Sequence, residues 1–91
     1  MINYIREHTT EAGRLEQVAE EAIELAYACM KLARKLRGES PTPCPEDDLR
    51  MSVTEEASDL ALCMMVAGVE EDIDIVVNKA RRWKRRLEKG N

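Results

Sequence analysis

Apolar residues recur three and four positions apart over most of this chain, the spacing of one face of an α-helix. From about Glu11 to Arg37 the series is Leu15, Val18, Ala22, Leu25, Cys29, Ala33 and Leu36. A second series, Leu49, Val53, Leu60, Cys63, Met64 and Ala67, predicts a helix over roughly 48–67. A third, Ile73, Val76, Val77, Ala80, Trp83 and Leu87, predicts one from about Asp72 to Glu88. Thr9 or Thr10 suits the N-cap of the first helix and Asp72 that of the third, since a short side-chain oxygen accepts from an unpaired first-turn amide. Gly38 suits the end of the first helix, and Gly68 with Glu70, Glu71 and Asp72 breaks the second. Residues Ile2 to Glu7 predict a short helical turn.

Between the first two helices lies GESPTPCPEDD, residues 38–48. Three prolines and a glycine cannot continue a helix, so this is a loop. It reads either as a plain connector between antiparallel helices or as a flap over a site. No strand-like alternation of useful length occurs. The expected fold is all-α: an antiparallel helical bundle of three long helices plus a short N-terminal turn.

Size changes that picture in one respect. The chain has 91 residues, one domain spanning 1–91 with no room for a second core. Aromatic residues are 3% with no Phe, so the core is aliphatic and small. Oligomerisation is the usual remedy, and a homodimer or homotetramer is expected to complete the bundle. Hydrophobic residues at 44% and charged residues at 35% suit a soluble protein. The net charge of −4 argues against nucleic acid as a partner, which needs excess Lys and Arg. The late basic run KARRWKRRLEK reads as a cationic end that offsets the helix dipole. No stretch is apolar enough for a signal peptide or a membrane span. Cys29, Cys44 and Cys63 have neither metal-like spacing nor a disulfide framework. A cytoplasmic location is expected.

Carboxylates interrupt the apolar faces twice, in EEAIEL (residues 20–25) and EEASDL (55–60). At about 100° per residue, Glu56 lies only about 40° from Leu60, and Asp59 about 100° away. Glu56 is thus flanked by Val53, Leu60 and Cys63. On the first helix Glu21 falls about 100° from Ala22, beside the apolar stripe, with Glu24 a further step round. Glu20 and Glu55 point toward solvent. An acid facing a low-dielectric interior must find a partner or take up a proton. Four converging acids repel one another, and the bundle has few inward cations. A divalent metal ion resolves the conflict, and oxygen-only ligands select Mg²⁺ or Mn²⁺ over zinc. Glu21, Glu24, Glu56 and Asp59 are the candidate ligands. Either motif alone is ordinary charged helix surface; their recurrence on two facing helices favours the metal.

On the third helix Lys79 and Arg86 share a flank two turns apart, with Trp83 between them and Asp72 on the same side. Such cations meet a metal-chelated polyphosphate and offset charge growing on a leaving pyrophosphate. Trp83 is available to stack on a base or to pack. Arg81, Arg82 and Arg85 look more solvated, with Arg82 kept as a candidate.

The set Glu21–Ala–Ile–Glu24, a Pro-rich gap, Glu56–Ala–Ser–Asp59, then NKARRWKRRL resembles the MazG-like family of all-α nucleoside triphosphate pyrophosphohydrolases. The likeness runs from about Leu15 to Leu87. It implies hydrolysis of a nucleoside triphosphate between the α and β phosphates, giving the monophosphate and pyrophosphate. It further implies that Glu21, Glu24, Glu56 and Asp59 hold Mg²⁺, that Lys79 is the following cation, and that Arg82 or Arg86 is the family's arginine. Glu24 or Glu21 would orient or deprotonate the attacking water. The gap between the acidic pairs is longer than the family's, and Asp72, Asp74 and Asn78 are all candidates for its later acid and asparagine.

Two other readings compete. A di-iron carboxylate bundle pairs glutamates with Glu-x-x-His, but His8 is the lone histidine and lies outside the long helices. A non-catalytic helical interaction or regulatory module with an acidic surface is the other, and it predicts that Mg²⁺ leaves the melting temperature unchanged.

Overall fold

The computed structural model describes residues 1–39 and 43–90. Among these, four helices account for all regular structure: α1 (Ile2–Glu7), α2 (Glu11–Leu36), α3 (Glu46–Ala67) and α4 (Ile73–Glu88). The short turn expected at the N-terminus is α1. Thr10 caps α2, its hydroxyl accepting from the Gly13 amide at 3.0 Å. Pro45 precedes α3, two residues earlier than the apolar series suggests. Glu46, Asp47 and Asp48 fill the first turn of α3, where negative charge favours the helix dipole. Asp72 caps α4, accepting from the amides of Asp74 and Ile75.

The end of α3 is fixed by backbone geometry. Gly68 adopts φ 71°, a left-handed conformation that only glycine takes at little cost. The Val69 amide then donates back to Met64 O at 2.9 Å. From α1, Arg6 donates to the carbonyls of Val66 and Met65 at 2.9 and 2.6 Å. The guanidinium thus adds a donor to Met65 O, which also accepts from the Gly68 amide at 3.3 Å, and supplies one to Val66 O in the last turn, where carbonyls lack intrahelical partners.

Helices α2 and α3 pack against each other as an antiparallel hairpin. Gly13, Arg14 and Gln17 near the start of α2 lie beside Leu62, Cys63 and Val66 near the end of α3. Further along, Glu21 meets Glu56 and Asp59. The core between them is thin, with Ala28, Leu49 and Val66 its buried members. On α3 the shielded positions follow the expected series, with Leu49, Val53, Leu60, Cys63 and Met64 all buried or half-buried.

On α2 the stripe is rotated from the expected one. Arg14, Val18, Glu21, Leu25, Ala28, Leu32, Ala33 and Lys35 are the shielded positions, so Val18, Leu25 and Ala33 of the expected series are covered while Leu15, Ala22, Cys29 and Leu36 are exposed. Counting apolar side chains alone skips Glu21, and so sets the stripe one position off. The rotation leaves Ile23, Tyr27 and Met30 exposed, roughly 160° round the helix from the shielded side.

The larger departure concerns α4. Every residue of it is exposed, including the whole seam from Ile73 to Leu87. The three long helices therefore form a packed pair and a separate third, rather than a closed three-helix bundle. Among the described residues no helix is long and apolar enough to cross a membrane. Of the Pro-rich segment 38–48 read as a connector or a flap, residues 40–42 lie outside the described residues.

Candidate functional site

The antiparallel register of α2 and α3 decides which carboxylates meet. Glu21, at the middle of α2, faces the stretch of α3 that carries Glu56 and Asp59. One carboxylate oxygen from each lies within 4.8 Å of the others. Glu21 and Glu56 are half-buried and Asp59 is exposed, so the trio opens from the hairpin seam toward solvent. Glu24 is not one of the three, although it is near enough for its charge to act on Glu56.

The electrostatics follow from that geometry. Partial burial raises the Glu56 pKa above its ordinary value, and the charges of Glu24, Asp59, Glu21 and Glu55 raise it further, in that order. Among the described residues the ion pairs are Arg37–Glu39, Arg50–Glu46 and Lys84–Glu88. None touches the trio. Among the described residues its side-chain donor is Gln17, whose amide reaches Glu21 Oε1 at 3.1 Å. Among the described residues no ion pair offsets the repulsion of the three acids.

Such a donor set fits a hard divalent cation. Mg²⁺ binds oxygen at about 2.1 Å in an octahedron, which holds ligand atoms about 3.0–4.2 Å apart. The span of the three oxygens, up to 4.8 Å, is somewhat wider than that range. Soft or imidazole-seeking metals find neither nitrogen nor a favourable sulfur here. Cys63 borders the trio, but its thiol is pushed up by burial and by the charges of Glu21 and Asp59, which disfavours the thiolate a metal requires.

Beside the trio lies a cavity of about 390 Å³, lined by Ile5, Thr9, Thr10, Gly13, Arg14, Gln17, Leu62, Cys63 and Val66. Gln17 and Cys63 connect it to Glu21 and Asp59. The volume is within the range of small-ligand sites, and the lining is mainly apolar with a few polar groups. Sequence reasoning missed this neighbourhood. The signal was present in part: Gln17 precedes Glu21 by four residues and Cys63 follows Asp59 by four, the spacing at which helical side chains meet.

The candidate residues of α4 are brought together with one another but not with the acids. Lys79, Arg82, Trp83 and Arg86 line one shallow depression with Val76 and Ala80. Trp83 is 63% exposed. Asp72 is occupied as the α4 cap. His8 stacks on Tyr4 and bonds its carbonyl, with no part in the acidic site. Searched against protein-family models, curated proteins and solved structures, the chain matches none.

Proposed function

We propose that the protein is a Mg²⁺-dependent nucleoside triphosphate pyrophosphohydrolase of the MazG-like kind, which splits the α–β anhydride to give a nucleoside monophosphate and pyrophosphate. The observation that carries this reading is the convergence of Glu21, Glu56 and Asp59 with no ion pair to them among the described residues. Those three carboxylates would hold Mg²⁺, with Mn²⁺ as an alternative. A divalent ion so held supplies Lewis-acid activation of water and of phosphoryl oxygens.

The chain's own residues would do the rest. Glu24, outside the converging oxygens yet near enough for its charge to act on Glu56, would orient the attacking water and take its proton, with Glu21 the alternative. The water adds to phosphorus, the anhydride bond breaks, and pyrophosphate leaves. The apolar cavity between α1, α2 and α3 offers room for the nucleoside. Lys79, Arg82 and Arg86 would neutralise the leaving pyrophosphate, and Trp83 would flank the base, once α4 closes on an acidic trio. The test is pyrophosphate release from a panel of ribo- and deoxynucleoside triphosphates with Mg²⁺. Turnover is expected for some member. Glu56→Ala should lose more than the roughly 10–100-fold typical of removing a mere supporting residue, with helicity unchanged. Absence of release across the panel overturns the reading.

A second reading, a non-catalytic helical interaction module, draws on the wholly exposed face of α4. It expects no turnover and no effect of Mg²⁺ on melting.

A further inference from the structure

Gln17 stands where the apolar cavity meets the acidic trio. It lines the cavity with Ile5, Gly13, Leu62, Cys63 and Val66. One turn on, it reaches Glu21, whose carboxylate converges with those of Glu56 and Asp59. Its carboxamide nitrogen lies 3.1 Å from Glu21 Oε1. An ionised carboxylate only accepts, so the NH₂ faces Glu21 and the carbonyl oxygen is the group left over. Among the described residues that oxygen accepts no hydrogen bond. The other polar groups of the cavity are committed to the chain. The Thr10 hydroxyl accepts from the Gly13 amide, the Thr9 hydroxyl donates to Ile5 O, and the Arg14 guanidinium donates to Arg6 O and Thr9 O.

Gln17 is exposed, so in an empty cavity its side chain keeps its rotamer freedom and the bond to Glu21 is made part of the time. An occupant that donates to the carbonyl oxygen holds the carboxamide with its NH₂ on Glu21. Glu21 is then ordered before a metal ion arrives, and the ion meets a smaller entropic cost. Linkage makes the effect mutual: the ion favours the occupant by the same factor.

We infer that Gln17 couples the cavity to the metal ligands, by accepting a hydrogen bond from a sugar hydroxyl of the nucleoside while donating to Glu21. The sugar joins base to phosphate, and Gln17 lies between the apolar walls that suit a base and the trio that suits metal-bound phosphates. This rests on the Mg²⁺ site proposed above and names the sugar as the part of the substrate read at the junction.

Nucleosides test it because they carry no phosphate to chelate the ion, so any effect on Mg²⁺ passes through the protein. Calorimetric Mg²⁺ titrations of the intact chain, with and without ribo- and deoxynucleosides, should find at least one that lowers the Mg²⁺ dissociation constant about fivefold or more. The matching 2′,3′-dideoxynucleoside should lack that effect. Gln17→Met, similar in length but without the amide, should bind Mg²⁺ about 10–100-fold more weakly and show no response to nucleoside. Leu62→Trp, which fills the cavity, should bind Mg²⁺ as the wild type does and also show no response. A wild type that binds no Mg²⁺ overturns the metal site and this inference together. Mg²⁺ binding that no nucleoside alters overturns the inference and leaves the metal site standing. So does a nucleoside effect that persists in Gln17→Met, in Leu62→Trp or with the dideoxy sugar.

Discussion

Glu56 concentrates the electrostatic strain of the molecule in one side chain. Its carboxyl titrates above the ordinary 4.5, through partial burial first and then the charges of Glu24, Asp59, Glu21 and Glu55. A carboxyl whose folded pKa exceeds its unfolded one binds its proton more tightly in the folded state. Its ionisation therefore costs stability, and the cost grows as pH rises from about 4.5 through the raised folded value. In chelator, Glu56→Gln is expected to melt higher than the wild type at pH 7. The gap should close below the ordinary carboxylate range. Thermal melts across pH follow both. Adding Mg²⁺ should reverse the order at pH 7, raising the wild-type melting temperature and leaving the variant's unchanged, because a ligand that binds only the folded form stabilises it. A wild type indifferent to Mg²⁺ would favour the non-catalytic reading. Cys63 reports on the same field. Burial with Glu21 and Asp59 raises its pKa, so mass spectrometry should find it alkylated more slowly than the exposed Cys29.

The helices are held by end contacts as much as by their faces. Thr10→Ala removes the bond to the Gly13 amide and is expected to cost about 1 kcal/mol in denaturant titration. Gly68→Ala forces a Cβ into φ 71°, a cost of about 1–2 kcal/mol. These caps were legible from residue type alone, since Thr, Asp and Gly satisfy helix ends through local geometry. Arg6 was not. It seals α3 across some sixty residues of sequence, and no local pattern announces a contact of that range. Arg6→Ala should cost about 1–2 kcal/mol and loosen α1, seen as faster amide exchange over residues 2–7. The stripe of α2 shows the opposite failure. Hydrophobic spacing favoured Ala22 and Cys29, whereas packing turned Glu21 inward. A seam tolerates one carboxylate when it can reach solvent at the hairpin edge, and a count of apolar residues is blind to that tolerance.

For the molecule as a whole, the balance of area is decisive. With three buried core residues among those described and α4 uncovered, a lone chain has little to set against the entropy of ordering. The melting temperature is therefore expected to rise with protein concentration, as it does when folding and association are linked. A concentration-independent melt would show that the hairpin stands alone.

Helical class, element boundaries within a residue or two, the caps and the acidic pairs were all determined by the chain's own order of residues. Each depends on neighbours within one or two turns, where backbone geometry leaves few choices. Which carboxylates converge was decided only in three dimensions, because the register of α2 against α3 selects Glu21 with Glu56 and Asp59 and leaves Glu24 to one side. So was the fate of α4. Its apolar periodicity demands a cover but carries no information about whose surface supplies it, since burial is non-directional and rewards any apolar partner of fitting charge.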